Sequence, residues 1–483
     1  MRQRQEPPEE QHSDPLGSGL TRQRKRTRFW AVSGVAALAL FTLSAALAPK
    51  ESRGPAEGAP GPLKNFAAPV DASLALTTVT LTFDGGRASQ LAAAEVLRSR
   101  GLRGTFFVNS GFMGAKDYMT VEDLHALAAD GNEIGGHTAT LADLTAIESD
   151  EARRQVCTDR TNLTEWGFKA TSFAYPFAAK SPDAKAMVSE CGYNSARSQG
   201  DLRSRLGCPD CAVSETVRPA DAFSTRSTPE IGSAWTLSDL QQSVLEAETT
   251  GGWLQLSFYD VDDSGSPRSI SPALFSDFVS WLVTRTEEGT TAIRTVHDVV
   301  GGGAKPAVPG PAAPPAPPGV NALRNPGLET AGKYGLPECW QVSSYGENSH
   351  VLATLTPGRN GDVARRLDVT GYVSGDAKLL PVLDLGACAP SVVPGHSYTL
   401  RAWYTSTAST QFELYYRNKV GTWTYWTASP WFPASTAYRQ AEWTAPPVPA
   451  DAVAISFGLN LFSDGELTTD DYEMLDMGAP AAP

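Results

Sequence analysis

The sequence predicts a multidomain chain with three parts: a hydrophobic N-terminal helix, an irregular (β/α) barrel and an all-β sandwich. A run without charged residues at 29–48 follows a basic block and predicts the helix. Strand and helix patterns alternate over residues 66–300, which indicates a parallel sheet covered by helices. Residues 321–483 contain short alternating runs separated by turn residues, a pattern typical of a β-sandwich.

The N-terminal hydrophobic run has two interpretations, and both place the rest of the chain outside the cytoplasm. Residues 1–28 are polar and end in the basic block Arg22–Arg28, which predicts a cytoplasmic N-terminus. The run 29–48 is long enough to span a bilayer as a signal anchor, whereas Ala46–Ala48 fits the cleavage site of a signal peptide. We therefore predict an extracytoplasmic protein that is either secreted or anchored to the cell membrane by residues 29–48.

The net charge restricts the class of binding partner, and the cysteine content indicates the cellular compartment. The formal net charge of -13 argues against nucleic acid as a partner, because nucleic-acid binding needs a basic surface. Cysteine usage suits an oxidising compartment. The even number of cysteines in each folded region predicts intradomain disulfides, among Cys157, Cys191, Cys208 and Cys211 in the first region and between Cys339 and Cys388 in the second.

Two linkers rich in Pro, Gly and Ala, at 49–65 and 301–320, flank the region that is predicted to be the barrel. The second linker predicts an extended, semi-rigid spacer. Predicted strands in the barrel region are 76–83, 104–108, 132–136, 172–175, 253–258 and 292–296. Predicted helices are 90–100, 120–130, 149–166, 236–248 and 272–286, with Thr120 and Ser149 as N-caps. The region is slightly short for eight strand–helix units, so we expect a missing or irregular unit.

Two predicted strands end on side chains that can carry chemistry. The first strand ends on Asp84, which Gly85 and Gly86 follow, and the third ends on His137 after two glycines. The loops after the strands of a β/α barrel converge at one rim, where active sites are built. The sequence therefore predicts that Asp84 and His137 share a site.

These two motifs resemble the first two motifs of the polysaccharide deacetylases, the NodB-homology domains of carbohydrate esterase family four. The resemblance covers nearly all of residues 75–300. It implies an exported hydrolase that removes N-acetyl groups, through carbon–nitrogen non-peptide bonds, from a cell-wall or extracellular glycan. It also implies zinc or another divalent metal, which activates a water and polarises the carbonyl. By resemblance Asp84 is the catalytic base and His137 is a metal ligand.

Two further motifs complete the resemblance. The segment around Pro176 resembles the third motif, in which the backbone N–H of Phe177 would donate to the oxyanion, while Tyr175 and Pro176 would line the substrate site. The arginine of that motif matches Ala174. Tyr259 stands in the place of the general-acid histidine, and a tyrosine near its free pKa of about 10 is a weak acid for this step.

Three replacements oppose catalysis. Gly85 and Leu141 stand where the other two metal ligands belong, and Tyr259 replaces the acid, so one of three ligands remains. Asp143, Asp260 and Asp262 are alternative ligand candidates. The alternative interpretation is therefore a catalytically degenerate pseudo-enzyme that binds glycan, or a surface scaffold.

The C-terminal region resembles the jelly-roll carbohydrate-binding modules. Glu329 near its start and Asp471 near its end are the candidate ligands of a structural calcium, because carboxylates suit this hard cation. Trp423 and Tyr425 alternate along one strand and are predicted to face the same side as a sugar platform, with Trp426 on the other face.

Overall fold

The computed structural model describes residues 76–480, and its first part, residues 76–300, is called here the half-barrel region. Its strands are β1 (Thr77–Gly85), β2 (Thr105–Val108), β3 (Glu133–Gly136), β4 (Ser172–Ala174), β5 (Ser195–Arg197), β6 (Trp253–Phe258), β7 (Asp260–Val261), β8 (Ser269–Ile270) and β9 (Thr291–Ile293). Its helices are α1 (Gln90–Ser99), α2 (Val121–Ala129), α3 (Ser149–Glu165), α4 (Pro182–Glu190), α5 (Leu237–Glu248), α6 (Pro272–Glu287) and α7 (Val296–Val300).

The strands of this region form a parallel half-barrel. The sheet order is β5-β4-β3-β2-β1-β6, and β9 also pairs with β1. Between the two ends of the sheet, the irregular segment 225–231 hydrogen-bonds to both β5 and β6, for example through Thr225 N to Ala196 O and Ile231 N to Ser257 O. This segment takes the place of a regular strand–helix unit, and the predicted parallel sheet is confirmed.

Burial and capping explain where the elements begin and end. Every residue of β1 is buried, as expected for a central parallel strand. Thr120 caps α2 through a capping box, as predicted. The prediction that Ser149 caps α3 is wrong, because Glu148 is the N-cap and Ser149 is already helical. The last predicted strand is too long, since Thr295 caps α7 and ends the extended conformation.

Residues 321–480, called here the sandwich region, are all-β apart from a short 3₁₀ turn at Lys333–Gly335. The strands are β10 (Trp340–Tyr345), β11 (Ser349–Leu355), β12 (Ala364–Thr370), β13 (Asp376–Pro381), β14 (Tyr398–Ser406), β15 (Phe412–Asn418), β16 (Trp423–Ala428), β17 (Ser435–Thr444), β18 (Ala452–Leu461) and β19 (Gly465–Asp476). They form two antiparallel sheets, with orders β10-β13-β18-β15-β16 and β11-β12-β19-β14-β17. Residues of both sheets share one apolar core.

The segment 301–320 contains no helix or strand, but it is not a free spacer. The buried Arg160 donates hydrogen bonds to the carbonyl oxygens of Ala170, Lys305 and Pro306. Lys305 Nζ donates in turn to Tyr193 O at 3.0 Å. The start of the segment is therefore fixed against the half-barrel region, because a buried guanidinium needs acceptors that the backbone of the segment supplies.

The six cysteines pair as Cys157–Cys191, Cys208–Cys211 and Cys339–Cys388, so the predicted intradomain disulfides are confirmed. The predicted hydrophobic helix 29–48 lies outside the described residues, as do the segments 1–28 and 49–65. Within residues 76–480, no helix has the length and apolar composition that a membrane span requires.

Candidate active site

Asp84, near the end of β1, forms a buried ion pair. Its carboxylate oxygens Oδ1 and Oδ2 both lie 2.5 Å from Nη2 of Arg197. Ser257 Oγ donates more weakly to Oδ2 at 3.4 Å. Asp84 is 8% exposed, so its charge is compensated inside the protein and not by solvent.

Arg197, the last residue of β5, is a site residue that the sequence did not reveal. It is 2% exposed, and its Nη1 donates to Ser198 O at 3.1 Å and to Ser227 Oγ at 3.2 Å. In the parallel pairing of β4 with β5, Arg197 is the register partner of Ala174. Arg197 therefore lies on the strand next to Ala174, the position at which the resemblance leads us to expect an arginine.

His137 follows β3 and is held in one tautomer. Its Nδ1 lies 2.8 Å from Ala174 O, a pure acceptor, so Nδ1 carries the proton and Nε2 has the lone pair. Burial lowers the pKa of the imidazole, and the positive charges of Arg197 and Arg268 lower it further, whereas Asp84 raises it. His137 is therefore neutral near pH 7 and presents an acceptor nitrogen.

The loop after His137 has a constrained backbone. Thr138 and Leu141 both adopt left-handed conformations, with φ of 66° and 56°. Asn109 Nδ2 donates to Thr138 O at 3.0 Å, and Thr138 Oγ1 accepts from Ala142 N at 3.0 Å. Leu141 is buried, so an apolar side chain fills the position of the second metal-binding histidine. A β-branched residue at positive φ is rare, and it persists only where its surroundings fix it.

Gly85 and Tyr259 form a single packed feature. Gly85 has φ of +98°, and a Cβ at this position would lie 3.0 Å from Cε2 of Tyr259. The guanidinium of Arg268 stacks on the ring of Tyr259, 3.5 Å from its centroid. The ring of Tyr259 therefore takes the space beside Gly85 into which a second carboxylate would have to extend.

The residues around Asp84 do not fit a catalytic zinc ion. Such a site needs about three protein ligands, and residues 76–480 contain no group of three His, Cys, Asp or Glu side chains that could hold a metal. Gly85 and the buried Leu141 offer no donor atom from their side chains at the other two ligand positions. The alternative ligand candidates already accept hydrogen bonds from protein groups. Asp143 accepts from Thr145, Asp260 from Ser89 and Arg87, and Asp262 from Ser264 and Ser269.

The predicted third motif lies at the end of β4, next to β3. Tyr175 and Pro176 are buried, and the hydroxyl of Tyr175 donates to Phe223 O at 3.0 Å, so the ring packs in the core. Phe177 adopts φ of 57° and is 49% exposed. Of these three candidates, Phe177 is the one whose side chain is open to solvent.

The two calcium candidates of the sandwich region are close to one another but are already bonded. A Cβ on Gly327 would lie 3.6 Å from Glu329 Cγ and 3.8 Å from Asp471 Oδ1. Asp471 Oδ2 pairs with Arg359 Nη1 at 2.5 Å, and Glu329 accepts from the backbone N–H of Val363. Arg359 supplies the positive charge here, as Arg197 does at Asp84, so these residues do not fit a calcium ion.

The predicted sugar platform on β16 is partly buried. Tyr425 is 37% exposed and contacts Tyr415 with ring centroids 5.8 Å apart. Trp423 is only 7% exposed and packs in a small core cluster with Tyr415, so its ring faces the protein and not solvent. Trp426 packs against the main core of the sandwich on the other side. Tyr425 is thus the accessible aromatic residue of the pair.

Comparison with known proteins identifies the half-barrel region. Residues 74–196 match the family model described as polysaccharide deacetylase. These residues belong to a polysaccharide deacetylase domain. No curated protein matches the chain.

Solved structures of the same type are distant. A family 4 acetyl xylan esterase from Clostridium thermocellum with a cobalt ion is 16% identical, covering 46% of this chain and 90% of its own, with a TM-score of 0.33. The Xyl-CE4 domain of a multidomain xylanase from the hindgut metagenome of Trinervitermes trinervoides is 12% identical. The match covers 46% of this chain and 89% of that domain, with a TM-score of 0.31. A CE4 family pseudoenzyme from Bacillus anthracis is 14% identical. The match covers 47% of this chain and 66% of the pseudoenzyme, with a TM-score of 0.32.

The family match covers only part of the candidate site. Asp84 and His137 lie within 74–196, whereas Arg197 follows directly after it and Tyr259 lies well beyond it. Of the three replaced positions, Gly85 and Leu141 lie within the matched segment and Tyr259 lies outside it.

Proposed function

We propose that this chain is an exported glycan-binding pseudo-enzyme built on a polysaccharide deacetylase domain. The observation that carries the proposal is that the ring of Tyr259 covers Gly85 and that Leu141 is buried, so neither of the two other ligand positions offers a metal-binding side chain. A base that acts on a metal-bound water needs a metal to bind that water, and this donor set lacks the ligands for one.

The same residues suit recognition of an N-acetylated sugar. An acetamido group offers one N–H donor and one carbonyl acceptor, and sugar hydroxyls offer both. His137 Nε2 can accept a hydrogen bond, because its Nδ1 is committed to Ala174 O. Phe177 is an exposed aromatic side chain on the next strand end, and Tyr425 is another in the sandwich region. Apolar faces beside polar donors are the usual chemistry of a sugar site.

Export to the extracytoplasmic side belongs to the same proposal. Three disulfides among the described residues are consistent with an oxidising compartment. Residues 29–48 would act as the signal peptide or as the membrane anchor, and contact with the membrane would follow only if the helix is not cleaved.

The proposal is tested by binding and turnover measured on one preparation. We expect N-acetylchitooligosaccharides or peptidoglycan fragments to bind by calorimetry, without acetate release in the presence of zinc. His137→Ala should weaken binding, whereas His125→Ala, at an exposed position on α2, should leave it unchanged. Absence of binding to all acetylated glycans would contradict the proposal.

The second candidate is metal-assisted deacetylation, and one observation favours it. The neutral His137 keeps Nε2 as a possible metal ligand, and Asp84 remains at the strand end. The reaction would add water across the amide and release acetate and a free amine. Acetate release that depends on zinc and is lost in His137→Ala would establish this function and displace the pseudo-enzyme.

Restoring the missing ligands separates the two candidates further. Gly85→Asp alone should destabilise the chain, because the new side chain meets the Tyr259 ring and the backbone has φ of +98°. In the triple variant, Tyr259→His removes the phenol ring that Gly85→Asp would meet, and Leu141→His restores the third ligand position. Zinc binding that appears in the triple variant and not in the parent would support a degenerate parent site.

A further inference from the structure

We infer that the sandwich region positions the candidate site of the deacetylase domain, through the turn at 419–422 between β15 and β16. This turn packs against the loop 138–142 that follows His137. The inference rests on the proposed function only for its ligand measurement, since its structural measurement needs no glycan. Residues 76–480 belong to one compact unit, in which the turn and the loop are in direct contact.

The contact is a close approach of backbone to backbone. A Cβ built on Gly421 would lie 3.3 Å from Leu385 Cδ2, 3.7 Å from Ala139 Cβ and 3.9 Å from Gly111 Cα. A Cβ on Gly111 would in turn lie 3.3 Å from the carbonyl carbon of Gly421. Gly111 N also donates to Ala139 O at 2.9 Å. Because Gly421 and Gly111 both lack a Cβ, the turn can contact the backbone of Gly111 and the loop 138–142.

Hydrogen bonds fix the same contact. Asn162 on α3 is buried, and its Nδ2 donates to Val420 O at 2.7 Å and to Ser110 Oγ at 2.9 Å. The turn itself is stiffened by Asn418, whose Oδ1 accepts from Val420 N and Thr422 N. One amide side chain thus joins the sandwich turn to the loop after β2.

Helix α3 holds the other side of the loop 138–142. Gln155 O accepts from Ala139 N, and Gln155 Oε1 accepts from Thr140 N, both at 3.0 Å. The loop therefore lies between α3 and the 419–422 turn. Because Thr138 and Leu141 hold left-handed conformations, this support is what keeps the strained backbone next to His137 in place.

A second contact joins the two regions through the carboxylate of Glu151. Glu151 Oε1 accepts from Leu385 N at 2.8 Å, and Glu151 Oε2 pairs with Arg154 Nε at 2.9 Å. Arg417 of β15 donates to Leu385 O at 3.1 Å. The bond from Leu385 N to Glu151 joins the two regions, and Glu151 is 2% exposed, so separation would remove a hydrogen bond to a buried carboxylate.

The decisive experiment compares two glycine variants of the full chain. Gly421→Ala adds a methyl group that crowds Leu385 and strains the turn that contacts the loop, because Gly421 has φ of +102°. Gly395→Ala is the matched control, because it lies in the same region at φ of +79° with no atom within 4 Å of the new Cβ. Hydrogen–deuterium exchange of the amides in 138–142 is measured without ligand.

We expect Gly421→Ala to accelerate exchange in 138–142 by about ten-fold or more, and Gly395→Ala to leave it unchanged. Equal exchange in both variants would overturn the inference. If Gly421→Ala does not fold, Asn162→Ala is compared with Asn194→Ala, whose Nδ2 bonds Gly303 O in the linker. Faster exchange in 138–142 for Asn162→Ala alone supports the inference, and equal exchange overturns it.

Glycan affinity is the functional measurement on the same variants. We expect Gly421→Ala or Asn162→Ala to lower the affinity of the site for an N-acetylchitooligosaccharide by several-fold relative to the control variants. If exchange changes as expected and no variant or parent binds glycan, the proposed function fails while the positioning role stands. If exchange and affinity are both unaffected, the positioning role is refuted.

Discussion

Removing either partner of the ion pair between Asp84 and Arg197 tests the organisation of the site. Arg197→Met keeps a similar side-chain length and removes the charge, and Asp84→Asn keeps the shape of the carboxylate. The double variant Asp84→Asn/Arg197→Met removes both charges together. The three proteins and the parent form a double-mutant cycle, which isolates the energy of the pair from the effects of each substitution.

The magnitudes follow from burial. Arg197 is 2% exposed and Asp84 is 8% exposed, so each single variant leaves a buried charge without its partner. Such a loss costs about 3–5 kcal/mol of the free energy of unfolding. Arg197→Met also loses the hydrogen bonds to Ser198 O and Ser227 Oγ, each worth roughly 1 kcal/mol. The double variant should be less destabilised than the sum of the two singles by about 1–3 kcal/mol.

The assay is urea unfolding of the full chain, followed by circular dichroism and by tryptophan fluorescence. Coincident transitions are needed before the free energies are compared, because the chain has two structural regions. Single variants that each cost less than about 1 kcal/mol, or that add within about 0.5 kcal/mol, would refute the assignment of a buried, coupled pair. Stabilisation of Arg197→Met by zinc would show that the guanidinium occupies a cation site.

Three further outcomes follow from other contacts. Calcium should not raise the melting temperature of the parent, because Arg359 already neutralises the candidate carboxylate, and a rise that EDTA reverses would contradict this. Burial and the nearby Glu151 raise the pKa of Asp384 from 3.8 to about 6, so the folded state keeps a proton that the unfolded state releases. Stability should therefore fall as pH rises from about 4 to about 6, and Asp384→Asn should flatten the dependence of melting temperature on pH over that window. Arg160→Met should make the segment 301–313 more sensitive to limited proteolysis, because two of its backbone carbonyls lose their hydrogen-bond donor. An unchanged cleavage rate would contradict the role of Arg160 in fixing this segment.

The fold was predictable where apolar strands and capped helices produce strong local patterns. The buried strands β1 and β6 and the helix capped by Thr120 were expected within a residue or two of their observed bounds. The strand Ser195–Arg197 was not, because three residues of small and charged character carry no periodic signal. The irregular segment 225–231 was expected only as a missing unit, since tertiary hydrogen bonds to β5 and β6 define it.

The site was predictable only in part for a similar physical reason. Asp84 and His137 are visible in the sequence because each lies at the end of a predicted strand. Arg197 reaches Asp84 through the register of β4 with β5, which no local pattern encodes. A lone arginine ending a buried strand is the one signal that would have indicated it. The packing of Tyr259 on Gly85 joins residues far apart in the chain, so no local pattern indicates it.

Zinc titration by calorimetry tests the central claim most directly, with the parent and His137→Ala measured side by side. The ring beside Gly85 and the buried Leu141 predict no stoichiometric zinc binding that depends on His137. Binding of one zinc per chain in the parent, lost in His137→Ala, would contradict the account and establish a rebuilt metal site.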